Sequence, residues 1–402
     1  MTMIAVLVLL GALYYFTTQE ERARFLGAVL RVTRQATDGA VYLQAERGPF
    51  GDALRERTAW TLVTPALVAL NIGMFVCMLF GAGALSDPNT LVSWGGSYGP
   101  RTTNGEWWRL VTAIFVHAGA LHLIANIAGL VQVGLILERL FGRLAFATVY
   151  LAAGLISSLV SLFMHPVNVS VGASGSVFGV YGLFLASLIP GIVGRSALTV
   201  PLMTVLKLVP AAGLFILYSV TAGFDGAAEI TGLAVGFGYG LILAKDVGVC
   251  MPPLRRVAAT MAVVVLFAVA SAVPLRGVAD VRPEIERVAE VEHRTAGSYD
   301  DAARRFTRGE ISLGALAELI DRTILPELRA ARARLKQLER VPREQEPLIV
   351  GADEYFSLRE ESWRARAAGL RRSSMVGLRP PDDTERASLQ VLERIESLIT
   401  NH

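Results

Sequence analysis

Apolar stretches long enough to cross a lipid bilayer recur from the start of this chain to residue 274, and they restrict its fold more than any other feature. Crossing the hydrocarbon takes about 20 mostly apolar residues. The chain offers candidates at 60–82, 114–137, 144–164, 174–190, 203–222, 227–244 and 257–274. In lipid every backbone N–H and C=O must be satisfied inside the protein, so such runs are expected to pack as helices. The expected fold is therefore all-α, a polytopic membrane helical bundle. The first 16 residues, MTMIAVLVLLGALYYF, form an eighth, shorter candidate, read as a terminal anchor or an interfacial helix. No Lys or Arg precedes that run, so a cleaved leader is not expected there.

Charge divides the chain. Residues 60–275 are apolar, whereas 276–402 are crowded with Arg and Glu. A mean hydropathy of +0.47, with 53% hydrophobic residues, is well above that of a soluble enzyme. The expected organisation is an N-terminal anchor and amphipathic segment (1–58), a six-span core (59–245), an additional span (246–275) and a soluble helical tail (276–402). A net charge of +3 is too small to point to nucleic acid. Cys77 and Cys250 are far apart in the chain and provide neither a disulfide framework nor a metal spacing.

Arginine placement sets an expected orientation. Residues 17–58 carry seven arginines and no lysine, and the loops holding Arg139 and Arg143, Arg195, and Lys245 with Arg255 and Arg256 are basic. Putting these in the cytoplasm satisfies the positive-inside rule. Segments 83–113, 165–173, 223–226 and the tail then lie on the other side. A reporter fused at His402 should accordingly read as extracytoplasmic; a cytoplasmic signal would overturn this topology. In the tail, Ile311, Leu316, Leu319, Leu328, Leu335 and Leu338 recur at helical spacing. They predict a small helical bundle or hairpin, punctuated by Pro342 and Pro380-Pro381.

Three places carry chemistry. In GEWWRLVTAIFVHAGALHLIANIAGL, His117, His122 and Asn126 are spaced by five and four residues, which puts His122 and Asn126 one turn apart on one helix face. Polar groups inside an apolar helix are costly unless they meet partners or a wet cavity. Both can donate hydrogen bonds to an oxyanion, and both can equally serve as interhelical glue. In Gly172-Ala173-Ser174-Gly175, a serine stands among small residues at the start of a span, which suits a buried nucleophile approached closely by substrate. In FDGAAEITGLAVGFGYGL, Gly232, Gly236 and Gly240 repeat every four residues. That bare face can meet the similar surface of Gly175, Gly179 and Gly182, which would bring residue 229 near Ser174. Glu138 and Arg139, before Gly142, are read as a structural salt bridge or carbonyl cap.

Together these pieces resemble the rhomboid family of intramembrane serine proteases over residues 59–245. The resemblance rests on Trp108-Arg109, His117, His122, Asn126, Glu138 with Gly142, the Gly172–Gly175 serine box and the Ala-Ala-X-Ile-X-Gly start of the sixth core helix. It implies a six-helix bundle with a water-filled cavity, Ser174 as nucleophile, and an oxyanion hole made by the Ser174 backbone, His122 and Asn126. His117, Gly172 and Gly175 would support that site. It further implies single-span transmembrane proteins as substrates or clients, within a lipid bilayer. The chain departs from the family at Glu229, where rhomboids carry the catalytic histidine.

Serine needs a general base. Carboxylate is a weak one at its ordinary pKa near 4.3, and burial would make it more basic while depopulating the ionised form. Ser–Glu pairing occurs in unrelated serine-carboxyl peptidases, so Glu229 is a candidate replacement base, with His165 as another. Two readings follow: a rhomboid-like serine-type endopeptidase, or a pseudoprotease that binds transmembrane helices without cutting them. A transporter with Glu229 and the histidines along a polar path fits less well, because no inverted repeat is evident and the polar residues cluster at one side. No cofactor or metal is implied, and the expected location is the plasma (inner) membrane of a bacterium.

Overall fold

The computed structural model describes residues 49–192 with the exception of 82, then 200–201, 204–206, 208–209, 212–213, 215–216, 225–244, 250–372 and 383–400. The expectations for 1–16 and for most of 17–58 lie outside the described residues, as does most of the expected span at 203–222. The chain divides into two compact units, one ending at Arg276 and the other beginning at Gly277.

In the first unit the principal helices are α1 (Pro49–Arg57), α2 (Val63–Leu79), α3 (Ala120–Phe141), α4 (Arg143–Met164), α5 (Ser174–Ile192), α6 (Gly226–Leu243) and α7 (Leu254–Ala272). By length and composition α3, α4, α6 and α7 can cross a membrane, and α2 and α5 are apolar but shorter. The expected span at 114–137 is shifted. Residues 113–115 form a 3-10 turn, and α3 begins only after Gly119, whose φ of 145° breaks the helical path. His117 is therefore on the link before α3 and not on the helix that carries His122 and Asn126.

Packing in lipid relies on close backbone approach and interhelical hydrogen bonds more than on the hydrophobic effect, and both are visible. Helix α5 lies along α6. A Cβ added at Gly232 would overlap the Gly175 carbonyl oxygen, and one at Gly236 the Gly179 carbonyl oxygen. Both pairs step by four residues, so the two helices run parallel, backbone against backbone.

At the opposite end of the bundle from Ser174, Glu138 is fully buried. Its Oε1 accepts from the amides of Leu62 (2.6 Å) and Val63 (2.8 Å), and its Oε2 from the amide of Thr64 (2.7 Å). Glu138 is thus an amide cap for α2, and among the described residues it forms neither the expected salt bridge nor a carbonyl cap. The free N–H groups of a helix start carry partial positive charge, so a carboxylate is the side chain that answers them. Arg143 adds bonds from Nη2 (2.8 Å) and Nε (3.1 Å) to the Trp60 carbonyl.

The long loop between α2 and α3 is built of short helical turns at Pro88–Ser93, Gly99–Thr102 and Arg109–Thr112. Asp87 caps the first of these through the Thr90 amide at 2.8 Å, and those bonds hold its carboxyl below the usual range. Buried Arg109 ties the loop together, donating to the carbonyls of Val92 and Gly96 and pairing with Glu106. An antiparallel bridge joins Ser97 to Ser170, and the Gly99 amide donates to the Pro166 carbonyl at 2.8 Å. The loop therefore fastens the segment leading into Ser174.

In the second unit, α8 (Arg282–Thr307), α9 (Leu313–Leu319), α10 (Leu325–Lys336), α11 (Glu346–Arg371) and α12 (Asp383–Thr400) form a helical bundle. Leu316, Leu328 and Leu335 are core residues, with Ile311, Leu319 and Leu338 packed against them. A buried ionic network crosses this core. Arg359, 2% exposed, forks onto Glu292 of α8 (Nε–Oε2 2.7 Å, Nη2–Oε1 2.5 Å). Its Nη1 lies 2.8 Å from Glu385 Oε1 of α12, and Arg366 Nη2 lies 2.5 Å from Glu385 Oε2. Tyr355 also donates to Glu292, and the Arg359 guanidinium sits 5.0 Å over the Trp363 ring.

Candidate active site

Local backbone geometry places Ser174. Gly172 adopts φ 108°, a conformation that side-chain-bearing residues rarely take, and its amide donates to the Ala113 carbonyl at 2.8 Å. A Cβ at Gly172 would lie 2.5 Å from Cε1 and Nε2 of His122, so the absent side chain is what lets the imidazole rest on the serine loop. Ser174 then opens α5, with its amide at the helix start where orphan donors gather.

Ser174, Gly172, Gly175 and His122 line one cavity of about 440 Å³. Other parts of the wall come from α4 (Ser157, Ser158, Ser161 and, at its end, His165) and from Asp225 to Ala228 at the start of α6. The α4 residues form a stripe, since 157, 161 and 165 recur every four positions on one helix face. Ser157 is 3% exposed, and its Oγ has no hydrogen-bond partner among the described residues.

The remaining residues singled out from the sequence stand behind this wall. His117 is buried, with Nδ1 3.2 Å from the Phe115 carbonyl and its ring edge-to-face with His122 at 5.0 Å. Asn126 is one turn beyond His122, and its Nδ2 donates to the His122 carbonyl at 2.9 Å. Glu229 follows Ala228 in the first turn of α6 and is 6% exposed. One turn further, Gly232 abuts the carbonyl of Gly175. The structure thus brings Ser174, His122, Gly172 and Gly175 to one surface and sets Asn126, His117 and Glu229 beside it.

The α4 stripe and Asp225 were not singled out as wall residues from the sequence. Ser157, Ser158 and Ser161 could have been noticed as polar residues on one face of an apolar span, whereas His165, on the same face, is the alternative candidate base named from the sequence. Asp225, followed by glycine before an apolar run, carries the signal of a helix cap.

The site combines a serine at a helix start, His122 beside it, and a polar cavity inside an apolar bundle. Residues 104–246 match the Rhomboid domain, and this match together with the curated relatives supports membership of the rhomboid family. It is an integral membrane protein. Rhomboid protease GluP of Bacillus subtilis (strain 168) is 35% identical over 167 residues, covering 42% of this chain and 30% of GluP. RHOMBOID-like protein 4 of Arabidopsis thaliana is 33% identical over 221 residues, 48% of this chain and 55% of that protein. RHOMBOID-like protein 6, mitochondrial, also of Arabidopsis thaliana, is 28% identical over 229 residues, 49% of this chain and 73% of its own length. The chain spans 30% and 55% of the lengths of the first two.

Proposed function

We propose that this protein is an intramembrane serine-type endopeptidase acting on single-span transmembrane proteins, with Ser174 as nucleophile. The observation that carries this reading is the shared polar cavity of Ser174, His122, Gly172 and Gly175 within an apolar helical bundle. In the proposed reaction Ser174 Oγ attacks the substrate carbonyl carbon and gives its proton to Glu229. The oxyanion receives hydrogen bonds from the Ser174 amide, His122 and Asn126. The proton then passes to the leaving amine, and water hydrolyses the acyl-enzyme. A substrate helix must open locally first, because a peptide bond in a formed helix is sheltered. The location proposed is the inner membrane of a bacterium.

A fluorophosphonate probe applied to the full-length protein across pH tests this directly. Labelling should occur in the wild type and disappear in Ser174→Ala; equal labelling of both would remove Ser174 from the reaction.

The donors carry their own expectation. His122→Ala and Asn126→Ala should each slow labelling roughly ten- to a thousandfold, the range seen when an oxyanion donor is lost. Fold stability should change less. If either variant unfolds in mild detergent with no separate effect on reactivity, the pair is interhelical glue.

A second reading, a pseudoprotease that binds transmembrane helices, is supported by Glu229 at the position where the family carries histidine. It is supported too by the α6 wall of the cavity, which Asp225 to Ala228 provide and to which Glu229 does not contribute. Under that reading the cavity holds a helix segment without cutting it.

A further inference from the structure

The reaction proposed above leaves one charged group on the cavity wall without a task. Asp225 caps α6 through Oδ1, which accepts from the amides of Ala227 (3.1 Å) and Ala228 (3.2 Å). Its other oxygen, Oδ2, is a buried atom with no hydrogen-bond partner among the described residues. A buried acceptor left unpaired costs free energy that an incoming donor recovers. Ser157 Oγ, on the same wall, is in the same condition.

Among the described residues, the wall around Asp225 holds no Lys or Arg to compete for it, and Asp225 is its one carboxylate. The other ionisable groups on the wall are the imidazoles of His122 and His165. The chemistry on offer is therefore an anionic acceptor among hydroxyl groups, which suits an ammonium or guanidinium group.

Helix register fixes how far that acceptor stands from the serine. Helices α5 and α6 run in parallel with Gly175 beside Gly232. Ser174 is one residue before the first glycine and Asp225 seven before the second. The difference of six residues corresponds to about 9 Å of helical rise toward the loop end of the cavity. An extended chain advances about 3.3 Å per residue, so roughly three residues span that distance.

We propose that Asp225 is a specificity-determining residue that receives a Lys or Arg side chain of the transmembrane substrate, about three residues from the bond presented to Ser174. This rests on the reading of the Ser174 cavity as a substrate site. It adds a charge requirement on one flank of that site.

Two single-span peptides test it. They are identical except for Arg or citrulline three residues from a central Gly-Ala pair. Each carries a terminal dye and is titrated into full-length protein in detergent, with binding read by fluorescence anisotropy. Wild type should bind the Arg peptide about tenfold more tightly, the size expected of one charge-assisted contact. Asp225→Asn keeps a side chain able to cap α6 and should bring the two affinities within about twofold. Unchanged affinity of this variant for the citrulline peptide certifies that it is folded. Equal binding by the wild type, binding of neither peptide, or an Arg preference that survives Asp225→Asn would each overturn the assignment. Fluorophosphonate labelling of the same samples separates the two readings. Labelling without Arg preference removes only the role of Asp225, whereas Arg preference without labelling removes only the chemistry of Ser174.

Discussion

Glu229→His should raise cleavage of a generic single-span substrate at neutral pH by about 100-fold or more, since a positioned general base contributes roughly 10²–10⁴ in rate. Residue 229 is buried in the first turn of α6, beside the wall residue Ala228 and one turn before the contact of Gly232 with the Gly175 carbonyl. A base at this position is held by backbone packing and not by a mobile loop. Imidazole, with an ordinary pKa near 6.5, is largely in its free-base form at neutral pH. If Glu229 already serves as the base, Glu229→Gln should abolish wild-type activity, because the amide keeps the shape and loses the proton acceptor. Activity would then rise with pH as the carboxylate ionises. An inactive wild type whose Glu229→His variant is also silent would support the pseudoprotease reading. Cleavage that survives both Glu229→Gln and Ser174→Ala would show that neither residue does the chemistry.

Arg359→Ala should destabilise the second unit by about 3–5 kcal/mol, the usual loss when one partner of a buried ion pair is removed. The change would leave Glu292 and Glu385 facing a gap in the core, and Tyr355 would keep only part of its network. Domain stabilities are about 5–15 kcal/mol in total, so this loss should be obvious. Hydrogen exchange of the full-length protein reads it: amides in α8, α11 and α12 should lose protection together. Replacing the network as a whole with apolar residues of matching volume should cost far less, because no charge is then stranded. Undiminished protection in Arg359→Ala would mean that the network adds little to the fold.

Much of the membrane fold is legible because span length and apolar composition are read directly from residues, and the glycine repeats at 232, 236 and 240 point to a close helix partner. The boundary at 113–119 was not legible. Val116 and Ala118 are as apolar as the helix that follows, and the continuity is ended by the extended backbone at Val116 and the angle at Gly119. Glu138 looked like half of a salt bridge because Arg139 is its neighbour in sequence, whereas its partners are backbone amides 74 to 76 residues away. The leucine periodicity of 311–338 indicated a bundle. It could not indicate that Arg359 joins two glutamates from different helices, since long-range charge pairing leaves no local period. At the serine cavity, Ser174 and His122 carried recognisable local patterns. Asp225 and the α4 stripe became meaningful only once their helices were placed around one space.

The Glu138 cap has a consequence for how the bundle is assembled. The start of α2 has three amides that its own helix cannot satisfy, and Glu138 is a carboxylate that a lone α3 would have to carry into lipid unanswered. Each segment is a poor membrane passenger alone, and the two become acceptable only as a pair. The contact between the start of α2 and the end of α3 should therefore make the pair more stable in the bilayer than either span is by itself.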